Sequence, residues 1–257
     1  MHTIVLATQK GGSGKSTLAI GLALAAIQAG HTVRLIETDS QGTLSNWQGR
    51  RAYAEPIVEP IYVAAEIEQR LRSLSQSGVT LTIIDTAGGW SDACRGAMAA
   101  ADLCLIPARP SPADIEAAAP TLAAVRESGK PFAFVLNQVQ ARSARMKAAA
   151  GSLGERAVAL KIANVLALPA IALRNDQQDA LGLGLGVTEY APGGKSAEEI
   201  RGLWQWVWAR VSHVAQPAAE TPAPTQTTLP AALADAQLRL RVAVPLAEAP
   251  TALRASA

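Results

Sequence analysis

The sequence predicts an α/β fold: a doubly wound, mostly parallel sheet flanked by helices. Short apolar runs rich in β-branched residues recur along the chain, as "TIVLA" (3–7), "TVRLIE" (32–37), "VTLTIID" (79–85), "DLCLIPA" (102–108) and "PFAFVLN" (131–137). Strands buried on both faces read this way, because neither side can afford alternating polar residues. Between the runs lie segments rich in alanine and leucine, which suit crossover helices. Each run also ends in a loop with polar chemistry, and in such sheets ligands gather at the carboxyl edge.

The first run leads into "TQKGGSGKST", residues 8–17. The usual phosphate-loop pattern, G-x-x-x-x-G-K-[ST], fails by one residue, because Gln9 stands where its first glycine belongs. Its physical parts are present. A strand precedes it, Gly11, Gly12, Ser13 and Gly14 form a turn able to aim backbone N–H groups inward, and the apolar periodicity of Leu18–Ile27 predicts a helix. Free amides at a helix start form an anion site. In such a loop Lys15 sits on the β- and γ-phosphates, Ser16 completes a magnesium shell and Thr17 hydrogen-bonds another phosphate oxygen. One lysine is enough for that task, so Lys10 needs another explanation.

The stretch Lys10-Gly11-Gly12-Ser13-Gly14-Lys15-Ser16 resembles the deviant Walker A loop, K-G-G-x-G-K-[ST], of the ParA/MinD superfamily of ATPases. The resemblance implies a P-loop fold with ATP and Mg2+ as ligands. It also implies that Lys10 reaches across a two-fold axis to the other subunit's nucleotide, so that ATP joins two copies and hydrolysis parts them. The second run ends in "IETDSQGTLSNW", similar to the family's D-x-D-P-Q, with Asp39 and Gln41 matching and Glu37 and Ser40 departing. By that resemblance Asp39 positions the attacking water and helps hold a magnesium-bound water, while Glu37, one methylene longer, is structural. "LTIIDTAGG" places Asp85 in a Walker B arrangement, with Mg2+ as its target and Gly88 and Gly89 forming a loop that senses the γ-phosphate. Asn137, ending "FVLN", occupies the position where relatives contact adenine; a strand-end asparagine is also an ordinary turn residue. "PARPSP" (107–112) and "TLSNW" (43–47) are similar to the short, ParF-like partition ATPases, where the proline loop lies at the dimer interface. The resemblance covers roughly residues 2–212 and weakens after Pro169.

Beyond Pro169 the pattern is less regular until "SAEEIRGLWQWVWARV", read as a helix with Ser196 as N-cap and Glu198 and Glu199 in its first turn. Leu203, Trp204, Val207, Trp208 and Val211 share one apolar face, whereas Trp206 points elsewhere, toward solvent. From about Gln216 the composition turns to alanine and proline without aromatics. The expected organisation is therefore an ATPase domain over 1–215 and a flexible tail over 216–257.

Composition narrows the function. The 257 residues, 49% hydrophobic and 17% charged, suit one soluble domain with a large core, and without a run of about twenty apolar residues or a signal peptide the chain reads as cytoplasmic. Cys94 and Cys104 are too few for a disulfide framework or a four-ligand metal site. A net charge of +2 leaves nucleic-acid binding to a local patch. The resemblance implies an ATP-dependent homodimer that binds DNA nonspecifically, sits on the nucleoid in its ATP state and positions or segregates a plasmid, chromosome or other cargo. A ParB-like or adaptor partner would stimulate hydrolysis, with no stable membrane association. Candidate DNA contacts are Arg174, Lys195 and Arg201. The alternatives are a membrane-cycling MinD-like ATPase, a ligase of the dethiobiotin-synthetase or cobyrinate-amidase type, and an iron–sulfur reductase.

Overall fold

The computed structural model describes residues 1–140 and 165–214. Six strands form one parallel sheet in the order β3-β2-β4-β1-β5-β6. They are β1 (His2–Leu6), β2 (Val33–Glu37), β3 (Ile57–Pro60), β4 (Leu81–Asp85), β5 (Leu103–Ala108) and β6 (Phe132–Leu136). Five match the apolar runs. The sixth, β3, carries little sequence signal because it is a four-residue edge strand ending in Pro60, which an edge tolerates.

Alternation along β1 shows why both sheet faces had to be apolar. Ile4 and Leu6 enter one buried cluster, Val5 and Ala7 the other. On the first face lie α1 (Lys15–Gln28) and a long helix, Lys195–Val214; on the second lie α3 (Ala64–Gln76) and α4 (Asp92–Ala99). Helix α1 is wedged between sheet and helix, so nearly all of Leu18–Ala26 is buried and it lacks a polar face. A β-carbon on Gly21 would lie 3.0 Å from Ile200, so glycine there permits this close approach. The other described helices are α2 (Thr43–Arg50), α5 (Pro112–Glu116), α6 (Ala119–Glu127), α7 (Asn175–Gly182) and α8 (Val187–Tyr190), which makes Lys195–Val214 α9.

Two expectations change here, and one stretch gains a role. Helix α9 begins at Lys195, and the Ser196 hydroxyl donates to Asp176 at 2.7 Å instead of capping the helix. Trp206 is half-buried, with the Arg210 guanidinium 4.9 Å from its ring centre; only its offset from the Trp204 face was legible. The stretch flanking Pro169 runs beside β6, with Phe134 N–H donating to Val165 and Ile171 N–H to Leu136. It thereby covers an otherwise open edge. The expected Ala/Pro-rich tail lies outside the described residues.

Candidate nucleotide site

Strand order reverses around β1, which has β4 on one side and β5 on the other, and this switch point opens a crevice at the carboxyl edge. The loops after β2, β4, β1, β5 and β6 therefore bring Asp39, Asp85, residues 8–14, Arg109 and Asn137 along one rim. No two of these come from the same stretch of chain.

Gly14 caps α1 in the left-handed region, at φ 89°, and Gly12 has φ 72°. Left-handed residues placed this way allow successive loop amides to turn toward a common centre. Lys15 is buried, its ammonium 3.5 Å from the Thr8 carbonyl. Ser16 Oγ donates to Asp85 Oδ2 at 2.5 Å, while Asp85 Oδ1 and Ser13 Oγ are buried without a partner. Burial pushes the Asp85 carboxyl up to about 7, against the opposing effects of the Ser16 hydrogen bond and the Lys15 charge. A hard divalent cation supplies what this arrangement lacks: oxygen donors from Ser16 and Asp85 fit Mg2+, and an anion in the loop fits Ser13 and Lys15. The backbone of Gly88 lies against that of Gln9 and Gly11, beside the same loop.

The two acids after β2 separate in role. Asp39 stays partly exposed at the rim, where its carboxylate accepts from Gln41 N–H at 3.0 Å, and its charge helps raise Asp85. Glu37 is fully buried and accepts from the N–H groups of Leu44, at 2.6 Å, and Ser45, at 3.2 Å, and from the Ser45 hydroxyl. It caps α2, which has no capping side chain at Gly42.

Lys10 points along its own chain in the single subunit: its ammonium lies 2.6 Å from Asp114 at the start of α5. Although burial acts the other way, hydrogen bonds from Lys10 and Ser111 hold the Asp114 carboxyl below its ordinary value. Asn137 is buried under the loop. Its amide donates to the Ser13 carbonyl at 2.8 Å, and its oxygen accepts from Gln138 N–H at 2.9 Å. Both of its polar ends are thus used within the protein.

Beside the loop opens a shallow cleft bordered by Thr17, Leu18, Asn137, Ile171, Arg174 and Gln177 among others. Its place next to the phosphate loop and its mixed apolar and amide lining suit a nucleobase. Arg174 departs most from expectation, because its guanidinium makes two 2.7 Å bonds to Glu199, and Glu199 also accepts from Ala172 N–H. The pair fixes the 171–174 wall of the cleft. Lys195 stands exposed at the head of α9, and Arg201, half-exposed, donates to the Pro192 carbonyl. Arg109 lies within "PARPSP", read from sequence only as an interface loop, and Gln138 follows Asn137; neither was singled out for the nucleotide site, because only the fold carries them to the loop.

Cys104 is fully buried within β5, and burial pushes its thiol up to about 12; Cys94 is buried as well. No helix among the described residues is long and apolar enough to cross a membrane.

Comparison with known proteins agrees with this geometry. The model of the CobQ/CobB/MinD/ParA nucleotide-binding domain matches residues 4–177. Maintenance of carboxysome distribution protein A of Halothiobacillus neapolitanus is 30% identical over 155 residues, 57% of this chain and 70% of that protein. Protein ParA of Rhizobium radiobacter is 30% identical over 131 residues, 49% of this chain, which spans only 57% of that relative's length. Among solved structures, apo McdA from Cyanothece superposes with a TM-score of 0.66 at 20% identity, covering 80% of this chain and 99% of that one.

Proposed function

The chain belongs to the CobQ/CobB/MinD/ParA nucleotide-binding family, and from that membership we propose that it is a ParA-type positioning ATPase acting in the cytoplasm over the nucleoid. ATP with Mg2+ occupies the loop and cleft, with Asn137 and the 171–174 wall beside the base. Asp39 orients the attacking water from the rim, and two ATP-bound copies form a dimer that binds DNA without reading its sequence. A partner on the cargo then stimulates hydrolysis and releases the dimer. One relative is named for carboxysome distribution and another is a ParA, which supports a positioning task; the cargo here is set by a partner.

The observation that carries the proposal is the second lysine. Lys15 already serves the loop, whereas Lys10 is 38% exposed and its ion pair among the described residues is with Asp114. With its ammonium end reaching water, Lys10 can exchange this one carboxylate for a second subunit's phosphates, which carry more charge. Two weakly basic faces joined in a dimer gain avidity that one lacks. Lys195 and Arg201 serve such a face better than Arg174, because replacing Arg174 by Glu would set two carboxylates together in the cleft wall and disturb nucleotide binding as well.

The test is the mass in solution and retention on nonspecific DNA with ADP and with ATP, for the parent and Lys10→Ala. The expected result is an ATP-dependent, DNA-retained dimer that the substitution abolishes while ADP binding persists. Retention should weaken steeply with salt. A parent that stays monomeric and off DNA with ATP overturns the proposal.

A further inference from the structure

Every anion-binding loop faces one difficulty: successive amides must all point inward, and nothing in a glycine-rich backbone forces them to. A trans peptide carries its C=O and its N–H on opposite sides, so fixing a carbonyl outward fixes the next residue's N–H inward. Here three side chains reach the loop's carbonyls from the ends of two other strands. Arg109 Nη2 donates to the Gly12 carbonyl at 2.6 Å, and Gln138 Nε2 donates to that same oxygen at 2.9 Å. Asn137 Nδ2 donates to the next carbonyl, Ser13, at 2.8 Å. The peptides so held are those that carry the Ser13 and Gly14 N–H groups.

We infer that Arg109 and Gln138 are positioning residues of the nucleotide site, clamping the Gly12 carbonyl so that the Ser13 amide is set for phosphate before any nucleotide arrives. Four features support this. Gln138 is the one non-glycine residue with positive φ among those described, at 57°, a conformation that is kept when it places a side chain. A β-carbon on Gly12 would lie 2.9 Å from Arg109 Nη2, and one on Gly14 would collide with Asn137 Nδ2, so the glycines also make room for the clamp. Among the described residues Arg109 Nε is buried without a partner, and the hydrogen bond that holds the guanidinium runs to the Gly12 carbonyl, with the Asp114 charge nearby. A cationic donor on the carbonyl further polarises the N–H across the same peptide, which strengthens that N–H toward an anion.

The inference rests on the reading of the loop as a nucleotide site, and ADP affinity separates the two. Calorimetry with Mg-ADP and thermal unfolding without nucleotide are to be compared for the parent, Arg109→Met, Arg109→Lys and Gln138→Met. The clamp predicts that Arg109→Met weakens ADP binding roughly tenfold and that Arg109→Lys, which keeps a charged donor, recovers part of the loss. The unfolding midpoint without nucleotide should be unchanged in both. Gln138→Met removes the neutral donor to the same oxygen and should cost roughly threefold, which keeps the test open if Arg109→Met fails to fold. Unaltered ADP affinity in the folded variants overturns the clamp alone, as does a loss of affinity matched by a fall in the nucleotide-free midpoint. A parent that binds no ADP overturns the nucleotide reading and the clamp with it.

Discussion

Asp85 and His31 show how one fold shifts two titrations in opposite directions. His31 packs against the rings of both Trp204 and Trp208, with centroids at 5.3 and 4.2 Å, just before β2 and so at the opposite edge of the sheet from the nucleotide rim. Burial, and then the charge of His2, lower its pKa from the ordinary 6.5. The unfolded chain therefore binds the proton more readily, and stability is lost as pH falls through 6.5 toward the lower folded value. Asp85 has the opposite sign, since a carboxyl raised to about 7 favours the folded state below that pH. The expected outcome is read as a difference: from pH 7.5 to 5.5 the parent should lose more unfolding midpoint than His31→Gln does. Parallel curves for the two proteins would refute a His31 contribution.

Among the elements, α2 depends on an acid that stands beside Asp39 in the same motif. Glu37 departs from D-x-D-P-Q, and its extra methylene carries the carboxylate to the Leu44 and Ser45 amides at the α2 N-terminus. There it satisfies orphan donors and complements the helix dipole. Glu37→Ala leaves those buried amides unpaired and should cost about 2–4 kcal/mol in urea unfolding. Glu37→Gln, which keeps an acceptor, should cost less, and neither should change the Mg2+ requirement of ADP binding. A variant of full stability that has lost its Mg2+ dependence would place Glu37 on the metal instead.

For the whole molecule, the doubly wound sheet and the strand-end loops were legible, as was the meeting of Ser16 with Asp85 beside Lys15, because periodicity and the loop motif are local patterns. The expected division near residue 215 is a matching whole-molecule prediction: a chain ending at Ala215, just past α9, should bind ADP as the full chain does and unfold within about 2 °C of it. A larger drop in the midpoint would give the tail a structural part. Less was legible where a residue's role depends on what meets it across the fold. β3 is too short to register, and Asn137, Lys10 and Arg174 were placed by resemblance while their partners, Ser13, Asp114 and Glu199, lie 124, 104 and 25 residues away in sequence. By itself the sequence determined the fold class and the phosphate-binding chemistry, since an apolar run, a glycine turn and a helix start need only neighbouring residues. Tertiary structure alone decided which side chains hold the loop's carbonyls, which cation faces which carboxylate and which acid stays at the rim. Those depend on strand order at the switch point, and one-dimensional spacing does not contain strand order.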